Sequence, residues 1–399
     1  MAHKILVVDD EPDWESAILG KFHKQIERKK WEFVFARDGL EALEILKKDS
    51  GIKVVILDYK MPKMDGLALL SKLDGTNNLT TKLIMLTAYG DNSIFRRAMN
   101  EGAFDFLEKP INLEDLESTI EKALKQVDII REALKSRDEL TAFNRDLEIA
   151  VNIQKSMLPC KFPPFPEYKE FDIFAKMAPA KRIGGDFYDF FFVDEEKDRV
   201  AIAIGDVSGK GIPAALIMSR TCIHLKSTAK QFINPGECLR KLNRILFAEK
   251  QKGENFSVTL FYGVLDIATG IMQYAYAGHP SPLIVHKDGK IEPVSKDPMS
   301  FSLAYFENSE YEVKEIYLQE GDTLVGYTDG LTDAENQDKI QFDPDENQLK
   351  KFFEGANNMP LQEIVESRFT KINEFTAGAP QADDLTILAL RYNGRSTES

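Results

Sequence analysis

Cysteine and histidine are scarce in this sequence, three and five among 399 residues. Cys160, Cys222 and Cys238 form no CxxC pair and are odd in number, so neither a disulfide framework nor a thiolate zinc site is indicated. Basic charge is in deficit: 51 Lys and Arg face 65 Asp and Glu, for a formal net charge of −14. Nucleic acid is therefore not expected as a partner, because phosphate backbones are gripped by clustered Lys and Arg. Long apolar runs are also missing. The first, residues 5–8, ends at once in Asp9, Asp10 and Glu11, too short for a signal-peptide core, and no later run is long enough to span a bilayer. The expectation is a cytoplasmic chain with no membrane partner. What is present is 43% hydrophobic and 29% charged residues, enough chain and enough core for two domains and a connector.

The first third alternates short β-branched runs with helical spacing. KILVV, EFVFA, VVIL, KLIML and FDFL read as five strands, four of them apolar throughout, as strands covered on both faces should be. Helical stretches fall at residues 14–30, 40–48, 67–73 and 93–100. Repeated strand–helix units imply an α/β fold with a doubly wound parallel sheet. From about Asn112 to Leu158 there is neither Gly nor Pro. Apolar residues recur there at Leu116, Ile120, Ala123, Val127, Ile130 and Leu134, a seven-residue repeat. After a slip the pattern resumes at Leu140, Phe143, Leu147, Ala150 and Ile153. A helix is predicted over 116–158, ended by the Pro-rich PCKFPPFP. It has two available packings, against the chain's own domains or as a coiled coil with a second copy; the adopted reading is a homodimer through this linker. The remainder carries strand-like runs rich in Phe, Tyr, Val and Ile, with helical stretches near 214–231, 236–251 and 361–375. That order predicts an α+β sandwich of antiparallel sheets with helices outside. The domain expectation is 1–125, a helical linker 126–160, and a second domain 161–395.

Polar residues follow the predicted parallel strands: Asp9 and Asp10 the first, Asp58 the third, Thr87 the fourth, Lys109 the fifth. In an open α/β sheet these strand ends gather at one edge. Three carboxylates there suit Mg²⁺, and a Lys and a hydroxyl can hold a phosphoryl group transferred to an Asp. Singly, each has an ordinary explanation as a helix cap or turn. Together, LVVDDE, LDYKMPKMDG, MLTAYG and GAFDFLEKP resemble the receiver domain of bacterial response regulators. The resemblance implies a sensor histidine kinase as phosphodonor and Asp58 as phosphoacceptor. It implies Mg²⁺ held by Asp9, Asp10, Asp58 and the Lys60 carbonyl, and a switch made of Thr87, Phe106 and Lys109.

In the second half, GGDFYD, GDVSGKG, YTDGLTDAE and ADDLT bring Asp next to Gly or another turn residue, most of them directly after an apolar strand. Convergent carboxylates without His or Cys favour Mg²⁺ or Mn²⁺ over Zn²⁺. A pair of such ions activates water and clamps a phosphate for in-line attack. YTDG alone reads more simply as a turn. The joint order of the four motifs, with IQKSMLP before them, resembles the PPM-type protein phosphatases of the SpoIIE-like branch, over about residues 171–392. That resemblance implies two Mn²⁺ or Mg²⁺ ions held by Asp186, Asp206, Asp329 and Asp383, with Asp206 bridging and the Val207 carbonyl assisting. Asp384 competes with Asp383, since neighbours on a strand point opposite ways; Asp383 is preferred. Asp333 stands where the branch usually has Glu, which touches only the geometry around the ligands. His279, in GHPSP, is read as structural. The implied function is a response regulator whose aspartyl phosphorylation controls a serine/threonine phosphatase, with a phosphorylated STAS-type anti-sigma-factor antagonist as substrate. The competing reading is a non-catalytic adaptor for a sigma or anti-sigma partner, which should have lost metal carboxylates; here all four are present.

Overall fold

The computed structural model describes residues 2–74, 80–88, 92–251, 253–296, 300–343 and 348–395. The chain divides into two compact units, Met1–Asn144 and Arg145–Ser399.

The first unit alternates strand and helix: β1 (His3–Val8), α1 (Pro12–Lys21), α2 (His23–Glu27), β2 (Trp31–Ala36), α3 (Gly39–Lys48), β3 (Ile52–Asp58), α4 (Gly66–Asp74), β4 (Lys82–Ala88), α5 (Asn92–Asn100) and β5 (Asp105–Lys109). All neighbouring strands pair in parallel, in the order β2-β1-β3-β4-β5. The order reverses between β1 and β3, which is where an open α/β sheet forms a crevice at its carboxyl edge. Alternate side chains of one strand feed two separate cores. Leu6, Val8, Val55 and Leu57 pack on one face with Leu69 and Leu70 of α4; Ile5, Val7, Val54 and Ile56 pack on the other with Ile18 and Phe22. The helix expected over 14–30 is broken in two at Phe22. Its buried ring lies 5.2 Å from Trp31, and its amide closes α1 by donating to the Ile18 carbonyl.

Helix α6 (Leu113–Met157) runs 45 residues, about 68 Å at 1.5 Å per residue. The first part of its heptad run has a local use. Leu116, Ile120, Ala123 and Val127 are fully buried, and the first three belong to the core behind the parallel sheet. The second part is different: Leu140, Phe143 and Ile153 are all more than half exposed. One sequence pattern thus serves two environments.

The second unit holds β6 (Phe171–Ala178), β7 (Phe187–Phe192), β8 (Arg199–Val207), α7 (Ile212–Ala229), α8 (Pro235–Ala248), β9 (Val258–Asp266), β10 (Ile271–Ala277), β11 (Leu283–Val285), β12 (Ile291–Pro293), β13 (Lys314–Tyr317), β14 (Thr323–Tyr327), α9 (Asp329–Thr332), α10 (Leu349–Phe352), α11 (Leu361–Thr376) and β15 (Leu385–Tyr392). They form two five-stranded sheets, β13-β10-β9-β8-β7 and β12-β11-β14-β15-β6. The main core lies between them: Ile202, Ile204, Phe261 and Leu265 of one sheet meet Ile173, Leu324, Leu388 and Leu390 of the other. Helices α7 and α8 cover the first sheet and α11 the second. The α+β sandwich expected from sequence is present. β12, β13, α9 and α10, each three or four residues long, were too short to register as periodic patterns.

Candidate functional sites

In the first unit the carboxyl edge of the sheet gathers Asp9, Asp10 and Asp58, whose carboxylate oxygens lie within 4.8 Å of one another. Lys109, at the end of β5, donates from Nζ to Asp58 Oδ2 at 3.0 Å and to Asp9 Oδ2 at 3.1 Å. Burial raises the Asp58 carboxyl above its usual range, with Lys109 pulling the other way. Lys109 is itself raised: partial burial opposes its charge, but Asp58 and Asp9 outweigh it. Thr87 is buried one residue beyond Leu86, the register partner of Asp58. Phe106 is half-buried, its ring 4.1 Å from that of Phe95. Lys60 is exposed in the turn after Asp58. Of the motif MLTAYG, Tyr89 and Gly90 lie outside the described residues. An all-oxygen set flanked by one Lys fits a hard divalent cation such as Mg²⁺.

In the second unit four separate elements bring Asp residues together. Asp186 precedes β7, Asp206 lies near the end of β8, Asp329 begins α9, and Asp383 precedes β15. Asp186 is almost wholly buried, and its Oδ2 accepts from Thr386 Oγ1 at 2.6 Å and Thr328 Oγ1 at 2.7 Å. Burial and the charge of Asp206 push its carboxyl well above the ordinary range. Asp206 is hydrogen-bonded to Asp186, and burial together with the Asp329 charge pushes it up to about 7. Asp329 is raised by burial and by Asp383. Val207, fully buried, pairs with Val258 at the end of β8. Carboxylates that oppose one another's ionisation, graded from buried Asp186 to exposed Asp329, are a donor set suited to divalent cations, which relieve that repulsion. They do not form one tight cluster: among the described residues only the Asp9, Asp10 and Asp58 group brings three ligand atoms mutually within 4.8 Å. A wider spread is what a two-ion site requires, since its ions stand roughly 3.5–4 Å apart.

The geometry separates Asp383 from Asp384. Asp384 is buried, and its two oxygens accept from the Ala180 and Gly185 amides at 2.8 and 2.6 Å. Asp383 is part-exposed and lies 2.9 Å from Lys210 Nζ. Asp384 therefore shapes the loop that presents Asp186, while Asp383 faces the other carboxylates. Two glycines make this packing feasible: a Cβ on Gly184 would sit 2.3 Å from Asp384 Oδ2, and one on Gly330 1.9 Å from the Asp384 carbonyl oxygen.

Several contributors were not legible in the sequence. Gln154, near the end of α6, grips Gly184 from both sides: Nε2 donates to its carbonyl at 2.6 Å, and Oε1 accepts from its amide at 3.3 Å. The IQKSMLP motif contained it, but no local signal told which backbone it would reach. Thr328 and Thr386 lie within the YTDGLTDAE and ADDLT motifs, and only the folded chain turns both hydroxyls toward Asp186. Asp189, in the same motif as Asp186, is instead paired with Lys226 of α7 at 2.9 Å. His279 is buried with Nδ1 2.9 Å from Thr259 Oγ1, and burial pushes it down to about 3, so it is neutral at pH 7.

A parallel receiver-type sheet followed by a two-sheet sandwich with a carboxylate centre defines a class: a response regulator carrying a protein phosphatase domain. Two family models match in the same order, the Response regulator receiver domain over residues 5–121 and Stage II sporulation protein E (SpoIIE) over residues 196–393. The chain is 30% identical over 250 residues to phosphoserine phosphatase RsbU of Bacillus subtilis, covering 62% of this chain and 70% of RsbU. It is 28% identical over 276 residues to protein IcfG of Synechocystis, covering 62% of this chain and 42% of IcfG. The SiaA-PP2C domain of Pseudomonas aeruginosa shares the fold, with a TM-score of 0.55 at 20% identity, over 64% of this chain and 98% of that domain. The chain belongs to the RsbU-like, SpoIIE-type family of PP2C serine/threonine protein phosphatases, with a receiver domain at its N-terminal side. Phosphatases of this family are metal-dependent. Among the described residues no helix is long and apolar enough to cross a membrane.

Proposed function

We propose that this chain removes phosphate from a phosphoserine or phosphothreonine of a partner protein, and that phosphorylation of Asp58 by a sensor histidine kinase controls the reaction. The observation that carries the reading is the convergence of Asp186, Asp206, Asp329 and Asp383 from four elements onto one centre, running from buried Asp186 out to exposed Asp329, in which the carboxylates raise one another's pKa. These residues, with the Val207 carbonyl, would hold two Mn²⁺ or Mg²⁺ ions, Asp206 serving both. When bound, the ions supply activated water and charge stabilisation for the phosphoryl oxygens. The protein supplies positioning. Thr328 and Thr386 fix the Asp186 carboxylate, Asp384 and Gln154 hold the 180–185 loop, and Lys210 places a positive charge beside Asp383. RsbU, named a phosphoserine phosphatase, supports a phosphoserine as the bond cleaved; the phosphorylated STAS-type anti-sigma-factor antagonist is the substrate that the resemblance to the SpoIIE-like branch implies. In the first unit, Asp9, Asp10, Asp58 and the Lys60 carbonyl would hold Mg²⁺, with Thr87 and Lys109 receiving the phosphoryl group and Phe106 responding. Domain limits of 1–125, 126–160 and 161–395 accompany this reading.

The test is Asp206→Ala. It should abolish Mn²⁺-dependent phosphomonoester hydrolysis. It should also abolish the thermal stabilisation that Mn²⁺ gives the wild type, which would be about 2.7 kcal/mol at a hundredfold excess over Kd. Full activity of the variant, or of the wild type in excess chelator, refutes the assignment.

A further inference from the structure

Beside Asp329 opens a cavity of about 1010 Å³, whose walls include Thr259, His279, Pro280, Phe301, Phe306 and Glu310. A phosphomonoester fills a small part of such a space, which matches the size of pockets that enclose much larger ligands. Its outer wall is unusual. Phe301 and Phe306 on that wall are 58% and 51% exposed and adjoin Tyr305, 58% exposed; Phe306 packs edge-to-face on each of the other two at 4.8 Å. Contiguous exposed aromatic surface is costly in water and marks interaction sites.

The backbone beneath these rings is pinned. Asn243 of α8, fully buried, donates to the carbonyls of Phe306 and Glu307 at 2.9 Å each and accepts from the Ala304 amide at 2.7 Å. Leu303 exchanges two backbone bonds with Val258, and Lys250 donates to the Ala304 carbonyl at 2.6 Å. Val258 precedes Thr259, the register partner of Asp206. The aromatic shelf is thus fixed to the strand next to the carboxylate centre. A surface that is both apolar and preorganised loses little entropy on binding.

We infer that the cavity is the docking groove for the chain segment flanking the phosphorylated residue, and that the shelf selects an apolar side chain there. The inference rests on the phosphatase reading and deepens it. Asp329 ties the groove to the reacting end, and the shelf sets the chemistry of the other end. The occupant is accordingly a phosphoserine or phosphothreonine segment with an apolar neighbour.

The experiment uses the full chain with Mn²⁺, p-nitrophenyl phosphate, and two phosphoserine peptides that differ only in Leu or Asp beside the phosphoserine. The wild type should favour the Leu peptide by about tenfold or more in kcat/KM, mostly through KM. In Phe301→Ser/Phe306→Ser the preference should collapse to about twofold or less, and peptide kcat/KM should fall relative to that for p-nitrophenyl phosphate. Phe306→Tyr keeps the ring and should keep the preference. Equal rates on both peptides by the wild type, or an undiminished preference in the double variant, overturn the docking inference alone. Failure of the wild type on all three substrates overturns the phosphatase reading and this inference with it.

Discussion

At the scale of single residues, the second site depends on groups that do no chemistry themselves. Gln154 closes two hydrogen bonds on Gly184, two residues before Asp186. Gln154→Leu leaves a buried amide and carbonyl unpaired, at a cost of about 1–3 kcal/mol each. The expected result is weaker Mn²⁺ binding and a lower kcat with the receiver untouched. Metal titration followed by calorimetry checks it, and an unchanged affinity would show that the loop holds without the clamp. His279 gives a pH prediction with a definite sign. Its folded-state pKa is about 3 against an ordinary 6.5. Between those values the unfolded chain binds a proton that the folded chain refuses, so stability falls as pH drops below 6.5. From pH 7 to pH 5 the loss from this group is about 2 kcal/mol, and His279→Gln should lack it. Hydrogen exchange at the β14 and β15 amides reads the second unit specifically. Equal acid sensitivity of wild type and variant would count against the burial argument.

At the scale of elements, α6 is the informative case. Its first three heptad positions are consumed by the receiver core and the fourth, Val127, is buried, whereas Leu140, Phe143 and Ile153 leave apolar surface exposed to solvent. A second chain pairing along this stretch would bury it, as the seven-residue spacing demands of a coiled coil. The expected outcome is a dimer by light scattering. Leu140→Lys/Phe143→Lys should return it to monomer, while the buried positions near Leu116 keep the receiver folded. Ile130→Pro should cost about 3 kcal/mol of helix stability and uncouple Asp58 phosphorylation from phosphatase turnover. A wild type that remains monomeric in both phosphorylation states, at concentrations where turnover responds, rules out pairing as the route of control.

At the scale of the whole molecule, the prediction concerns coupling between two chemistries on one chain. Acetyl phosphate should place a phosphoryl group on Asp58, visible by intact mass, and Asp58→Asn should abolish the mass increase. Lys109 lies 3.0 Å from Asp58 Oδ2, so the new charge arrives where a counter-charge already waits. Phosphatase turnover should change on phosphorylation of the wild type and stay fixed in the variant. A phosphate found elsewhere refutes the phosphoacceptor assignment; a phosphate on Asp58 with no change in turnover refutes only the coupling.

Sequence by itself determined the elements with long, clean periodicity. The five parallel strands, the long β8, β9 and β15, and α6 follow from runs whose burial repeats along the chain. It also limited the candidate donors to carboxylates, because motifs with Asp and no His or Cys nearby leave little choice of chemistry. Tertiary structure decided the rest, for reasons that local pattern does not encode. Which of two adjacent Asp residues serves the loop and which faces the centre depends on Ala180 and Gly185, some two hundred positions away. Whether a heptad serves a core or a second helix depends on what the sheet leaves uncovered. The break at Phe22 is set by Trp31, and the partner of Gln154 by a loop thirty residues on. A seven-residue period specifies that a face will be buried; only the folded chain specifies against what.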